Sequence, residues 1–137
     1  MLLEIDTLSA VPIYQQLRDQ VILGIAKQEL LPGESLPTVR QLADELGVNT
    51  MTISKAYNLL KDEGYLITDR RKGSLVRLPE PFQAQEAQTS RQALALLLAE
   101  AKLHGTTKEL LLNAVDDIWQ EFEGGMNDDH DDHNDNF

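Results

Sequence analysis

Apolar residues first recur at three- and four-residue steps behind Pro12: Ile13, Leu17, Val21 and Ile25, then Ala26 with Leu30, until Leu31-Pro32-Gly33 stops the pattern. This spacing predicts a helix over 12–29, with Pro12 in its first turn, where a missing N–H costs nothing. Val39, Leu42, Ala43 and Leu46 form a second set between Thr38, a plausible N-cap, and Gly47, a C-terminal stop, so a short helix is expected over 39–46. Val48-Asn49 leaves only a tight turn before Thr50, after which Ile53, Ala56, Tyr57, Leu59 and Leu60 mark a third helix ending at Gly64. The period then changes to two. Tyr65–Thr68 and Ser74–Arg77 flank Asp69-Arg70-Arg71-Lys72-Gly73, which reads as a β-hairpin with a basic tip.

Pro79 and Pro81 close this segment, and the polar stretch Glu80–Ser90 reads as a linker. Beyond it, Leu94, Leu97, Leu98 and Ala101 make one helical stripe, Gly105-Thr106-Thr107 interrupts, and Leu111, Val115, Ile118 and Phe122 make another. The two helices can form an antiparallel pair at most. From Gly124 onward the chain is Gly, Asn, Asp and His with one Met and a final Phe, too polar to bury. The expected fold is mainly α with a small β-hairpin: a winged helix–turn–helix over 1–79, a two-helix dimerisation region over 80–123, and an acidic disordered tail over 124–137.

Composition removes several function classes. The 137 residues include no cysteine, which excludes disulfides, thiolate zinc sites and a cysteine nucleophile. Glu4 and Asp6 stand where a signal peptide would carry Lys or Arg, and no apolar run reaches the roughly 18 residues of a membrane span, so a cytoplasmic protein without a membrane partner is expected. A phosphate loop, Gly-x-Ser-x-Gly and His-Glu-x-x-His are all missing, which speaks against an enzyme. Nothing implies a cofactor or identifies a small-molecule effector. The Asp/His run 128–133 contains metal-ligand types but no supporting structure, so no metal site is expected there. A solvated acidic tail is expected there instead, and the sharper alternative is that its charge repels a polyanionic partner or competes with it for the basic surface.

A net charge of -11 looks wrong for a nucleic-acid binder until it is placed along the chain. Residues 1–79 hold nine Lys and Arg against ten Asp and Glu, whereas 80–137 hold three against thirteen. Within 38–78 the balance is positive, seven against five, with Arg70, Arg71 and Lys72 adjacent. A winged helix–turn–helix places its third helix in the DNA major groove and its hairpin on the backbone or minor groove. Asn49, Thr50, Met51, Thr52, Ser54 and Lys55 supply the DNA-facing end of that helix, and Ile53, Ala56, Tyr57 and Leu60 its packed face. Asn49 suits adenine, the threonines suit base edges or a thymine methyl, and Lys55 suits phosphate. Arg40 would sit where the preceding helix crosses the backbone, unless it only pairs with Asp44. Arg70 and Arg71 suit a narrow minor groove or phosphate. Tyr14, Tyr57 and Trp119 are assigned to packing.

Pro12-Ile13-Tyr14-Gln15-Gln16, the run Leu31-Pro32-Gly33-Glu34-Ser35-Leu36-Pro37-Thr38-Val39-Arg40-Gln41-Leu42-Ala43, the run from Asn49 to Tyr57, and Glu63-Gly64-Tyr65 together resemble the GntR family of bacterial transcription regulators. The resemblance covers 10–78, and the Ala56-Tyr57 pair with the short C-terminal region is similar to the YtrA subfamily, whose members end in a two-helix dimerisation domain. It implies a homodimeric regulator, expected to repress, on an inverted-repeat operator of double-stranded DNA, with transporter operons as the suggested targets. It also implies DNA contact at Arg40, the Asn49–Thr52 segment, Ser54, Arg70 and Arg71. One departure is visible: the family hairpin reads Arg-Gly-x-Gly, and here Arg71 occupies the first glycine position, which predicts a differently shaped tip.

The dimer surface follows from surplus apolar residues. Leu94, Leu97, Leu98, Leu111, Val115, Ile118, Trp119 and Phe122 crowd two helices that can cover only part of one another, and so small a unit needs a partner. A winged helix that serves protein contacts without specific DNA binding is the alternative reading. It would lack the steep salt dependence and sequence preference of operator binding.

Overall fold

Helix α1 (Ile13–Ala26) starts directly behind Pro12, which serves as N-cap rather than as a helical residue, its carbonyl accepting from the N–H groups of Gln15 and Gln16. The computed structural model describes residues 3–124; the acidic segment expected to be a disordered tail lies, from 125 onward, outside the described residues. Helix α1 also ends three residues earlier than its apolar stripe suggests. Gln28 takes a left-handed conformation, φ 65°, and the N–H groups of Glu29 and Leu30 both donate to the carbonyl of Gly24. This termination turns Leu30 back onto α1, where it is buried although it no longer belongs to the helix. Gly24 leaves the room: a Cβ there would stand 3.2 Å from Leu30 Cδ1.

Helix α2 (Val39–Leu46) is bounded as its sequence predicts. Thr38 Oγ1 accepts from Gln41 N–H at 3.1 Å while Gln41 Oε1 accepts from Thr38 N–H at 2.9 Å, a reciprocal capping box. Gly47, at φ 69°, closes the other end. Helix α3 (Thr50–Asp62) is capped by Asn49: Asn49 Oδ1 accepts from Met51 N–H at 2.7 Å. Leu17 and Val21 of α1, Leu42 and Ala43 of α2, and Ile53, Ala56 and Leu60 of α3 meet in one core.

Strands β1 (Leu66–Asp69) and β2 (Gly73–Val76) pair antiparallel with Leu66 opposite Val76 and Asp69 opposite Gly73, one residue later at the first strand and one earlier at the second than the alternation suggests. Leu66 and Val76 close the core from this side. A third segment, absent from the sequence reading, joins them. Gly33 N–H donates to Val76 carbonyl at 2.7 Å, Val76 N–H to Glu34 carbonyl at 2.9 Å, and Leu36 N–H to Ser74 carbonyl at 2.9 Å. The residues between α1 and α2 therefore line the free edge of β2, which leaves fewer unpaired backbone groups there.

The expected linker over 80–90 is largely helix. Helix α4 (Ala84–Leu103) begins at Ala84, where Glu86 Oε1 accepts from Gln83 N–H at 2.9 Å. Ala, Gln and Glu are good helix formers, and their polarity disguises a solvated first turn as a linker. Gly105 (φ 91°) and Thr107, whose hydroxyl accepts from Leu110 N–H, lead into α5 (Lys108–Gly124). The antiparallel pairing set as an upper limit is not formed: α4 and α5 do not pack along one another, and neither holds a buried residue. Among the described residues no helix is long and apolar enough to cross a membrane.

Tyr57 is the polar member of the core. Its hydroxyl donates to the carbonyl of Pro37 at 2.7 Å, tying α3 to the segment ahead of α2. Burial, followed by the charge of Glu45, pushes its phenol up to about 12. The neutral form is thus favoured by folding. Stability should hold up to the unfolded value near 10 and fall as pH rises toward 12, by about 2 kcal/mol. Urea titrations across that range check it: Tyr57→Phe should start about 1 kcal/mol less stable at neutral pH and show a shallower alkaline decline.

Candidate nucleic-acid interface

The third helix divides its residues between two jobs. Ile53, Ala56, Tyr57 and Leu60, spaced at three and four, are buried, while Asn49, Thr50, Met51, Lys55 and Asn58 are exposed. Thr52 and Ser54 sit half-buried at the margin between the two faces. Met51 is 76% exposed, an unusual place for a long apolar side chain, on the same stripe as Lys55 and Asn58. Asn49 Oδ1 is engaged by the helix it caps, so a bidentate contact to adenine would share that oxygen between Met51 N–H and the base.

Arg40 stands exposed in the first turn of α2, and among the described residues it makes no ion pair with Asp44. Pairing with Asp44 is therefore not what occupies it. Arg18 presents the opposite case. Its guanidinium bonds Glu63 and Asp19, each at 2.8 Å, and these carboxylates hold it above its ordinary pKa. That charge is committed to joining α1 to the end of α3.

The hairpin tip is built by Asp69. Its Oδ1 accepts from Arg71 N–H at 2.8 Å and Lys72 N–H at 2.9 Å, and the bond from Lys72, then that from Arg71, holds the carboxyl below its usual range. Only Gly73 takes positive φ, 83°; Arg71 does not need it. The departure at Arg71 is accommodated because an acidic side chain closes the turn that a second glycine would otherwise permit. Arg70, Arg71 and Lys72 are all exposed. Ser35 Oγ also donates to the carbonyl of Lys72 at 3.3 Å, anchoring the tip to the edge segment.

A shallow groove between α1 and α3 was not among the candidates read from sequence. Tyr14, Met51, Ser54, Lys55, Asn58 and Leu59 line it, with Asp62 at its far end. Lys55 Nζ lies over the Tyr14 ring, 4.1 Å from its centroid. Periodicity could assign Tyr14 to α1 and Lys55 to α3, but only the packing of the two helices brings them together. Asn58, one turn beyond Ser54, was reachable from the exposed stripe of α3 alone.

The dimerisation candidates occupy the two C-terminal helices. Leu94, Leu97, Leu98, Val115, Ile118 and Trp119 are exposed, and Leu111 and Phe122 are half-buried. Trp119 and Phe122 stack obliquely, with centroids 5.9 Å apart. A single chain thus leaves most of this apolar surface in water. The described residues contain no group of His, Asp and Glu that could hold a metal ion, and the Asp/His run lies outside them.

Residues 11–76 match the model of the bacterial regulatory proteins of the gntR family. Over 130 residues the chain is 31% identical to the HTH-type transcriptional repressor YtrA of Bacillus subtilis, covering 93% of this chain and all of that one. It is 32% identical to the HTH-type transcriptional regulator YhcF of the same organism, over 78% of this chain and 89% of the other. Among solved structures, one described as a transcriptional antiterminator from Listeria monocytogenes aligns with a TM-score of 0.80 at 26% identity, covering 89% of this chain and 92% of that one. YtrA from Sulfolobus acidocaldarius, a GntR-family transcription factor, aligns at 0.58 with 42% identity, over 69% and 99% of the two chains.

Proposed function

Because this chain belongs to the gntR family of bacterial regulatory proteins and is a YtrA-like, DNA-binding transcription regulator with a winged helix–turn–helix, we propose that it is a repressor that binds an inverted-repeat operator as a homodimer. The observation that carries the DNA-facing assignment is the division of α3 into a buried apolar stripe and an exposed polar one beginning at its capped N-terminus. Thr50, Met51, Thr52 and Ser54 read base edges, Asn49 shares its amide between cap and base, and Arg40 and Lys55 take phosphates. Arg70, Arg71 and Lys72 extend the contact to the backbone or minor groove. Residues 1–79 form the DNA-binding unit and 80–123 the dimerisation unit.

Dimerisation is supported by the exposed apolar side chains of α4 and α5, which a second copy related by two-fold symmetry would cover with an identical patch. The same symmetry would offer two recognition helices to half-sites about one helical turn apart. The repressor sense follows the name of the Bacillus subtilis relative.

Selection of bound fragments from genomic DNA supplies the operator, and two variants then test the assignment. Arg40→Ala should weaken binding to all sequences and flatten the dependence on salt by about one unit, as loss of one phosphate contact does. Thr52→Ala should relax preference at one base pair by roughly 1 kcal/mol or more. If both variants match the parent on the selected operator, the recognition surface lies elsewhere.

A further inference from the structure

Lys55 is held differently from Arg18, although both reach between α1 and α3. Arg18 is anchored by two carboxylates, which cancel its charge as they fix it. Lys55 is anchored by an aromatic face, 4.1 Å from ammonium to ring centroid, and makes no ion pair among the described residues. A ring attracts the cation through its quadrupole and carries no net charge, so the ammonium keeps its full positive charge and its outward N–H donors. A free lysine side chain loses rotamer freedom whenever it binds; one already resting on a ring has lost part of it beforehand. Tyr14 is half-buried in α1, so the platform is itself fixed by packing.

We propose that Tyr14 is a positioning residue that holds the Lys55 ammonium over the groove between α1 and α3, as a preordered cation for a phosphate of the DNA backbone. The proposal rests on the reading of α3 as the recognition helix. It gives Tyr14 a role beyond the packing to which its place on an amphipathic helix assigns it. The aromatic ring is what the role requires; the hydroxyl is not.

The test uses the full chain, the selected duplex, and the variants Tyr14→Leu, Tyr14→Phe, Lys55→Gln and the pair Tyr14→Leu/Lys55→Gln. Lys55→Gln should flatten the salt dependence by about one unit. Tyr14→Leu should weaken binding roughly two- to fivefold when Lys55 is present and not at all when Gln replaces it, while Tyr14→Phe binds like the parent. In the free parent protein, the Lys55 ε-methylene protons should show an upfield ring-current shift in NMR spectra, a measurement that needs no variant to fold. Absence of that shift, or an equal loss from Tyr14→Leu in both backgrounds, overturns the positioning role. Should Lys55→Gln and Arg40→Ala both keep the parental salt dependence, the assignment of α3 to DNA fails instead.

Discussion

Replacing Leu97 and Ile118 together by glutamate should convert the protein to monomers in sedimentation and lower its affinity for a two-half-site operator by roughly two to four orders of magnitude. Leu97 is 60% and Ile118 48% exposed in the single chain, so in a monomer the new carboxylates would meet water and cost little. In the proposed two-fold assembly each charge is duplicated by symmetry, and four carboxylates would lie within one apolar interface without partners. The monomer would still carry Arg40, Thr52, Lys55 and the basic hairpin tip. What it loses is the tethering that makes the second half-site contact intramolecular. Affinity for an isolated half-site should therefore stay unchanged, which separates lost dimerisation from a damaged DNA surface. A double variant that remains dimeric and binds the operator normally would place the interface outside α4 and α5.

Leu60→Ala should destabilise the winged helix by about 3 kcal/mol and lower its melting temperature by roughly 15 °C, the largest single-residue effect expected on stability. Leu60 is fully buried, and its carbonyl accepts from Tyr65 N–H at 2.9 Å, where α3 turns toward β1. Removing its side chain leaves a void in the core that residues of all three helices and the hairpin share. Met51→Ala, on the same helix but in solvent, provides the contrast: its melting temperature should barely move. Thermal denaturation followed by circular dichroism distinguishes the two, and equal melting temperatures would contradict the burial of Leu60.

Where an element's boundary is written in its own side chains, the sequence was sufficient. Thr38 with Gln41, and Gly47 at the far end, fix α2 to the residue. The end of α1 is not legible because the left-handed position is occupied by Gln28 and not by glycine, leaving no local signal, and because Leu30 keeps the apolar rhythm going after the helix has stopped. Polarity over 84–90 concealed a helix whose first turns face water on every side. Of the candidate DNA residues, those on α3 can be sorted by period into a packed and an exposed face: Thr50, Met51 and Lys55 are exposed, whereas Thr52 and Ser54 fall half-buried between the two faces, where period alone does not resolve them. Tyr14 beside Lys55, and the bonding of Gly33–Leu36 to β2, depend on how separate elements meet, which periodicity does not encode.

The bonds from Gly33, Glu34 and Leu36 to β2 run between main-chain atoms, so the side chains of these residues are not what secures them. The segment 33–36 is therefore constrained in length as well as in kind at Gly33, which takes φ 88°, and at Leu36, which is buried in the core. Ser35 could vary at the cost of one long hydroxyl bond, whereas inserting or deleting a single residue between Gly33 and Leu36 would slip the pairing and exchange inward for outward positions. Because the same few residues join the end of α1 to the start of α2, such a slip would shift the hairpin relative to Arg40. An indel here would thus register as a defect in operator recognition although no residue in the segment is assigned to DNA.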